Sequence, residues 1–225
     1  METRDDALRT PLSYAASTDN VTVVKILIGR GATLDSRDRH GRTPLSWAAA
    51  EAGENIVKLL ISNCIDCIEL IEQRDDNGRS PLSWAASSAN YRVVLFLLSA
   101  GADIDSVDSL GRSPLSWAAG EGSPRTVKVL LEHGANVDTY DHEGRSPMTW
   151  AADNKRADLG LIMVRLAQAS NGERDDQPSR PTVGVGTYIG AGAYTSHPRF
   201  RSGISDTDVS KAKQIQTPLP TAKMP

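Results

Sequence analysis

The apolar and polar positions of this chain follow one pattern, which returns five times along the sequence. Each copy runs Ser or Thr, Pro, an apolar residue, a hydroxyl residue, an aromatic ring and two alanines, as in the identical segments 80–86 and 113–119. The copies start at Thr10, Thr43, Ser80, Ser113 and Ser146. The spacings between these starts are 33, 37, 33 and 33 residues. A self-similar period of this length predicts a solenoid of stacked repeats.

One unit of the pattern predicts two helices and a turn. Ser or Thr before Pro predicts a helix start, because the hydroxyl caps free N–H groups and proline needs no N–H in the first turn. A second apolar segment follows, for example VTVVKILI from Val21 and YRVVLFLL from Tyr91. Gly-Ala pairs at 31–32, 101–102 and 134–135 predict left-handed helix ends. A turn of the form D-x-x-G-R completes the unit.

These motifs, in this order and at this period, resemble the ankyrin-repeat family, whose pattern is close to T-P-L-H-x-A-A, V-V-x-L-L, G-A-D and D-x-x-G-R. The resemblance spans residues 5–168, and TPLSWAA is similar to arrays common in filamentous fungi. It implies an all-α-rich repeat solenoid of helix-turn-helix units with projecting β-turn fingers. Hydroxyl residues stand where the family has His, and we expect them to bond locally: Ser13, Ser46, Ser83, Ser116 and Thr149.

Three of the five units predicted in residues 5–168 depart from the repeat, and the fifth is degenerate after its first helix, where no Gly-Ala pair follows. Leu8 replaces the finger glycine of the first unit, which predicts a degraded turn, typical of a terminal cap or of a chain cut from a longer array. The second unit carries four extra residues, which we expect to lengthen its helix or exit loop. Cys64 and Cys67 lie in this insertion as C-x-x-C, with too few further ligands for structural zinc. We interpret CIDCIELI as an apolar helical face in which Cys packs as a small hydrophobe, and a redox or metal role is the alternative.

The aromatic residue of each copy allows two interpretations. Tyr14, Trp47, Trp84, Trp117 and Trp150 occupy equivalent places. We expect them to pack as a ladder between successive units, because a single unit has no core of its own and the neighbouring alanines indicate close helix contact. The alternative is a row of exposed rings that stack on bases or on a ligand.

The composition after the repeats changes sharply. Residues 169–225 hold six of the twelve prolines and almost no helical period, which predicts a disordered tail. The formal net charge of −3 favours neither nucleic acid nor an anionic membrane as a partner. The start METRDD lacks the apolar core of a signal peptide, and two cysteines fit a reducing compartment, the cytoplasm or the nucleus. We expect a monomer.

The residues that often carry catalysis are accounted for by the repeat. The four histidines are scattered along the chain. The serines belong to helix starts, and Asp38, Asp75, Asp108 and Asp141 recur at one turn position, where Asp side chains stabilise turns. Paired catalytic carboxylates need two unlike environments, whereas these four repeat one. The sequence therefore predicts no enzymatic activity, no cofactor and no metal.

The resemblance implies a scaffold or adaptor that binds a protein partner through its fingers and the adjoining helices. An Arg precedes each Ser or Thr, so we expect a line of guanidinium groups that either pair with finger carboxylates or meet an acidic partner. The two residues inside each turn vary between units, and Leu110 is apolar in a polar turn. The alternatives are a sensor array of a larger multidomain receptor and an accessory protein of a biosynthetic or regulatory pathway. The predicted partner-binding residues are Arg39, His40, Arg42, Asp76, Asn77, Arg79, Ser109, Leu110, Arg112, His142, Glu143 and Arg145.

Overall fold

The computed structural model describes residues 2–51, 53–156 and 159–165, and it folds them into pairs of short helices. The first helices of the pairs are α1 Pro11–Ser17, α3 Pro44–Glu51, α6 Pro81–Ser87, α8 Pro114–Glu121 and α10 Pro147–Asp153. The second helices are α2 Val21–Gly29, α4 Glu54–Ser62, α7 Tyr91–Ser99 and α9 Pro124–Glu132. Residues 159–165 are also helical. The predicted tail, 169–225, and the last residues of the predicted repeat domain lie outside the described residues.

The helices stack in two rows, and one continuous core lies between them. In the first row each of α1, α3, α6, α8 and α10 contacts the next, and α2, α4, α7 and α9 form the second row in the same way. In α1, α3, α6 and α8 the alanine pair, such as Ala48–Ala49, is buried together with the leucine that follows the proline. No single unit encloses a core of its own, so each depends on its neighbours. The predicted helical solenoid is confirmed.

Hydroxyl groups cap the start of each first helix, and they are buried in α1, α3, α6 and α8. The Ser83 backbone N–H donates to Ser80 Oγ at 3.2 Å, and the Ser80 and Ser83 hydroxyls lie 3.3 Å apart. Ser80 Oγ also lies 3.0 Å from Ser106 Oγ of its own unit's exit segment. The hydroxyl at the family's His position therefore bonds locally, as predicted. In the second unit Gln73 replaces the exit-segment hydroxyl, and its buried Oε1 has no partner among the described residues.

The fingers are tied to one another by backbone hydrogen bonds. The backbone N–H of Asp76 donates to His40 O at 3.0 Å, and that of Ser109 donates to Asn77 O at 2.9 Å. This close approach needs glycine at the preceding turn: Gly78 has φ +74°, and a Cβ there would lie 2.7 Å from Ser109 N. Leu8 occupies the equivalent place in the first unit with φ 59°.

The first finger keeps its turn despite Leu8, so the predicted degradation is wrong for its geometry. The Leu8 N–H donates to Asp5 O at 2.8 Å, and Asp5 Oδ1 accepts the N–H groups of Ala7 and Arg9. The turn forms because these bonds compensate for the strain of a left-handed leucine.

The insertion forms a separate helix, α5 Cys67–Glu72, in place of a lengthened helix or loop. Asp66 starts α5, because its side chain accepts the Glu69 N–H at 3.2 Å. The interpretation of CIDCIELI as one apolar face is wrong: Ile65 is fully exposed and Ile68 is 69% exposed. The break at Asp66 turns these two isoleucines outward, while Ile71 reaches the core.

Candidate functional site

The tips of the fingers form an exposed row in which neighbouring side chains differ. The eight residues predicted inside the turns are exposed in the structure. Leu110 is the apolar member and is 48% exposed. The backbone bonds between fingers fix their spacing, so the row presents its side chains on a regular support. The turn residues are Arg39, His40, Asp76, Asn77, Ser109, Leu110, His142 and Glu143.

A buried aspartate organises each turn. Asp38 Oδ1 accepts the backbone N–H groups of His40 and Arg42 at 2.8 and 2.9 Å. Its Oδ2 accepts Arg42 Nε at 3.1 Å and the Trp47 indole N–H, also at 3.1 Å. One carboxylate therefore closes the turn, orients an arginine and holds the indole of the next helix.

The same arrangement recurs at Asp108 and Asp141. Asp108 Oδ2 accepts Arg112 Nε at 2.9 Å, and Asp141 Oδ2 accepts Arg145 Nε at 3.0 Å. Desolvation opposes the charge of Asp141, but hydrogen bonds from Arg145 outweigh it and lower the pKa of that carboxyl. The predicted turn-forming role of these aspartates and the pairing of their arginines agree with this geometry. The hydrogen bond from the indole was not predicted from the sequence, although the aspartate and the tryptophan keep a fixed separation of nine residues.

Arginine side chains alternate with the aromatic rings along the first-helix row. The Arg42 guanidinium carbon lies 3.6 Å from the ring centroid of Trp47 and 5.6 Å from that of Trp84. Arg79 lies 3.5 Å from Trp84 and 3.9 Å from Trp117. A guanidinium over an indole face is held by cation–π attraction. We call this arrangement, with Arg9 over Tyr14 and Trp47, the Arg–aromatic stack.

The predicted ladder of buried rings is therefore wrong in two respects. The four tryptophans are only partly buried, and Tyr14 is 57% exposed. Each ring contacts the guanidinium group of its own unit, and Arg9, Arg42 and Arg79 also lie within 6 Å of the ring of the next unit. The core is instead filled by aliphatic side chains, with the rings of Trp84, Trp117 and Trp150 packed at its edge.

Arg79 is the exception among the arginines. Its η nitrogen donates to Ser87 Oγ at 2.6 Å, and its buried Nε has no partner among the described residues. Burial lowers the pKa of Arg79 to about 10, although the carboxylate of Asp75 opposes the shift. The group remains charged at neutral pH. Because Arg79 is only 9% exposed, the prediction that it offers its guanidinium to a partner is wrong.

The two cysteines, for which a redox or metal role is the alternative, lie at the edge of the core. Cys64 and Cys67 are free thiols packed against the core, and burial raises the pKa of the Cys64 thiol, which lowers its reactivity. Within the described ranges, no three His, Cys, Asp or Glu side chains are grouped closely enough to hold a metal ion. None of the helices in those ranges is long and apolar enough to cross a membrane.

Comparison with known proteins identifies the family. A family model described as ankyrin repeats (3 copies) matches residues 12–108 and 96–173. The chain belongs to the ankyrin-repeat family. Its matched region includes the four fingers that begin at Asp38, Asp75, Asp108 and Asp141, and the helix pairs and turns described above are those of ankyrin repeats. A search of the curated proteins finds no match. Ankyrin repeats generally serve as protein–protein interaction modules, and they are generally not enzymes.

Proposed function

We propose that this ankyrin-repeat chain is a non-enzymatic scaffold that binds a protein partner along its finger row. The observation that carries the proposal is the contrast between a repeated support and varied tips. The aspartate of each turn accepts the same two backbone N–H groups in unit after unit, whereas the exposed pair changes from Arg39–His40 to Ser109–Leu110. Side chains that vary on a fixed frame can encode partner specificity without disturbing the fold.

Leu110 is the strongest candidate for an anchor. It is a large apolar side chain, half exposed, in a row of polar and charged neighbours. An apolar residue surrounded by a polar rim is the usual composition of an interface centre. Its backbone N–H donates to Asp108 Oδ1, and its carbonyl accepts the His142 N–H, so the side chain contributes little to holding the turn.

Binding measurements with two matched variants test the proposal. A partner captured on the full-length chain would be identified by cross-linking and mass spectrometry, and its affinity measured by calorimetry. Leu110→Ala should weaken binding by about 1–2 kcal/mol, roughly 5- to 30-fold, while the melting temperature stays unchanged. Ile26→Ala removes an equally exposed apolar side chain from α2 and should leave the affinity unaltered. Equal binding by Leu110→Ala and the unmodified chain, with cross-links confined to the second helices, would refute the proposal.

A further inference from the structure

The Arg–aromatic stack is interrupted at its last described interval. Arg9, Arg42 and Arg79 each lie over the ring of their own unit and over the ring of the next. Arg112 lies 3.9 Å from the Trp117 centroid but does not reach the ring of Trp150. A cavity of about 150 Å³ lies between Arg112 and Trp150 instead.

Gly120 of α8 leaves room for the opening. In the preceding unit Ser87 accepts a hydrogen bond from Arg79, which lies 3.9 Å from the next ring. Gly120 stands at the same place in α8 and offers no hydroxyl, so Arg112 stays with Asp108 at 2.9 Å. Glycine also leaves the space empty: a Cβ at Gly120 would lie 3.6 Å from Trp150 Cε3.

The lining of the cavity selects for one kind of side chain. Arg112 lines it together with the indoles of Trp117 and Trp150. An aromatic ring inserted there stacks on the indole and receives the cation on its opposite face. A second cation would meet the charge of Arg112 at contact distance, and an aliphatic chain would gain neither interaction.

The polar residues at the rim of the cavity favour tyrosine over other aromatic side chains. Glu121 is exposed at its edge and Asn154 lies beside it. A carboxylate accepts a hydrogen bond from a phenol hydroxyl, which phenylalanine lacks. We propose that the slot between Arg112 and Trp150 binds a tyrosine side chain of the protein partner. This inference rests on the proposed function, because it names the chemistry of a residue that such a partner would present.

A small-molecule probe tests the slot without the partner. N-acetyl-tyrosine amide would be titrated into the full-length ¹⁵N-labelled chain, and the four indole N–H resonances followed by NMR after assignment with Trp→Phe variants. The expected result is a saturable shift of the Trp117 and Trp150 resonances, with Trp47 and Trp84 unmoved as internal controls. N-acetyl-leucine amide should bind about fivefold more weakly, which corresponds to the ~1 kcal/mol typical of an aromatic contact.

Two glycine variants provide the matched comparison. Gly120→Leu fills the slot and should abolish the shift, whereas Gly29→Leu, where nothing lies within 4 Å of the added Cβ, should retain it. Gly120→Ala narrows the slot with an ordinary contact and should weaken the probe if the leucine variant does not fold. Unchanged probe binding by a folded Gly120 variant would overturn the inference.

Other occupants of the slot give different results. A saturable shift with N-acetyl-arginine amide as large as that with the tyrosine probe would identify a cation site and overturn the inference. So would equal movement of all four indole resonances. If changing Tyr188, Tyr194 and Phe200 together to Leu moves the Trp150 resonance without probe, the slot is filled by this chain itself. None of these results alters the Leu110 measurement, so the two proposals fail separately.

Discussion

Replacing Arg79 tests whether the Arg–aromatic stack contributes to the stability of the repeats. Its guanidinium lies between Trp84 and Trp117, and its η nitrogen donates to Ser87. A desolvated cation–π contact contributes about 1–2 kcal/mol and a hydrogen bond about 1 kcal/mol. Burial of the Arg79 charge opposes these two contributions, because the desolvation of an ion costs several kcal/mol before its contacts in the protein are counted. The balance predicts that Arg79→Ala lowers the free energy of unfolding by about 3 kcal/mol, including the lost packing of the side-chain stem.

A second substitution separates packing from charge. Arg79→Met keeps an unbranched stem between the two rings but removes the cation, so it should cost about half as much, roughly 1.5 kcal/mol. Arg30→Ala is the control, because Arg30 is exposed at the end of α2 and should change stability by less than about 0.5 kcal/mol.

Urea unfolding followed by far-UV circular dichroism measures these differences. With a slope of about 2 kcal/mol per molar urea, the alanine variant should unfold at a midpoint roughly 1.5 M lower. A methionine variant as stable as the unmodified chain, or more stable, would refute the reasoning. That result would mean that the desolvation of Arg79 outweighs its contacts with Trp84 and Trp117.

Two further predictions concern the finger-glycine position and the exit-segment position of the repeat. Gly78→Ala should destabilise the chain by about 2 kcal/mol or more, because the backbone of Gly78 is left-handed and an added Cβ would clash with the next finger. Leu8→Gly should stabilise the chain by about 1 kcal/mol, because it removes the strain of a left-handed leucine. Thermal unfolding of both variants checks the opposite signs, and a shift of both in one direction would contradict the argument. Gln73→Ser should raise the urea midpoint by replacing a buried unpaired oxygen with a hydroxyl that reaches Thr43, worth about 1 kcal/mol. If the urea midpoint of Gln73→Ser is unchanged, or if Gln73→Ser and Gln73→Ala both lower it, the unpaired oxygen of Gln73 does not destabilise the chain.

The features that local chemistry determines were predictable from the sequence. Ser80 and Pro81 specify a helix start wherever they occur, because a hydroxyl cap and a fixed φ act within one turn. Gly101 likewise predicted a left-handed helix end, and its φ is +97°. The period of the pattern then determined the stacking, since identical units that lack their own cores bury their faces on one another.

The features that depend on neighbouring units were not predictable in the same way. Arg42, Arg79 and Arg112 are the same residue at the same repeat position, yet only Arg79 is buried. Arg79 alone donates to a hydroxyl of its first helix, that of Ser87, where Arg42 and Arg112 face Ala50 and Gly120 at the same variable repeat position. The separate helix α5 depends on a single Asp66 cap within an insertion that has no counterpart in the other units.

The placement of the tryptophans makes the array report optically on its own unfolding. Each indole donates to the aspartate of its own turn and touches a guanidinium, so its emission depends on whether that particular junction is intact. Unfolding that advances from one end would change the four signals in sequence, whereas all-or-none unfolding would change them together. The first unit has Tyr14 instead, so its loss would be nearly silent when tryptophan alone is excited. Single-tryptophan versions of this chain would therefore resolve, junction by junction, where a linear protein begins to come apart.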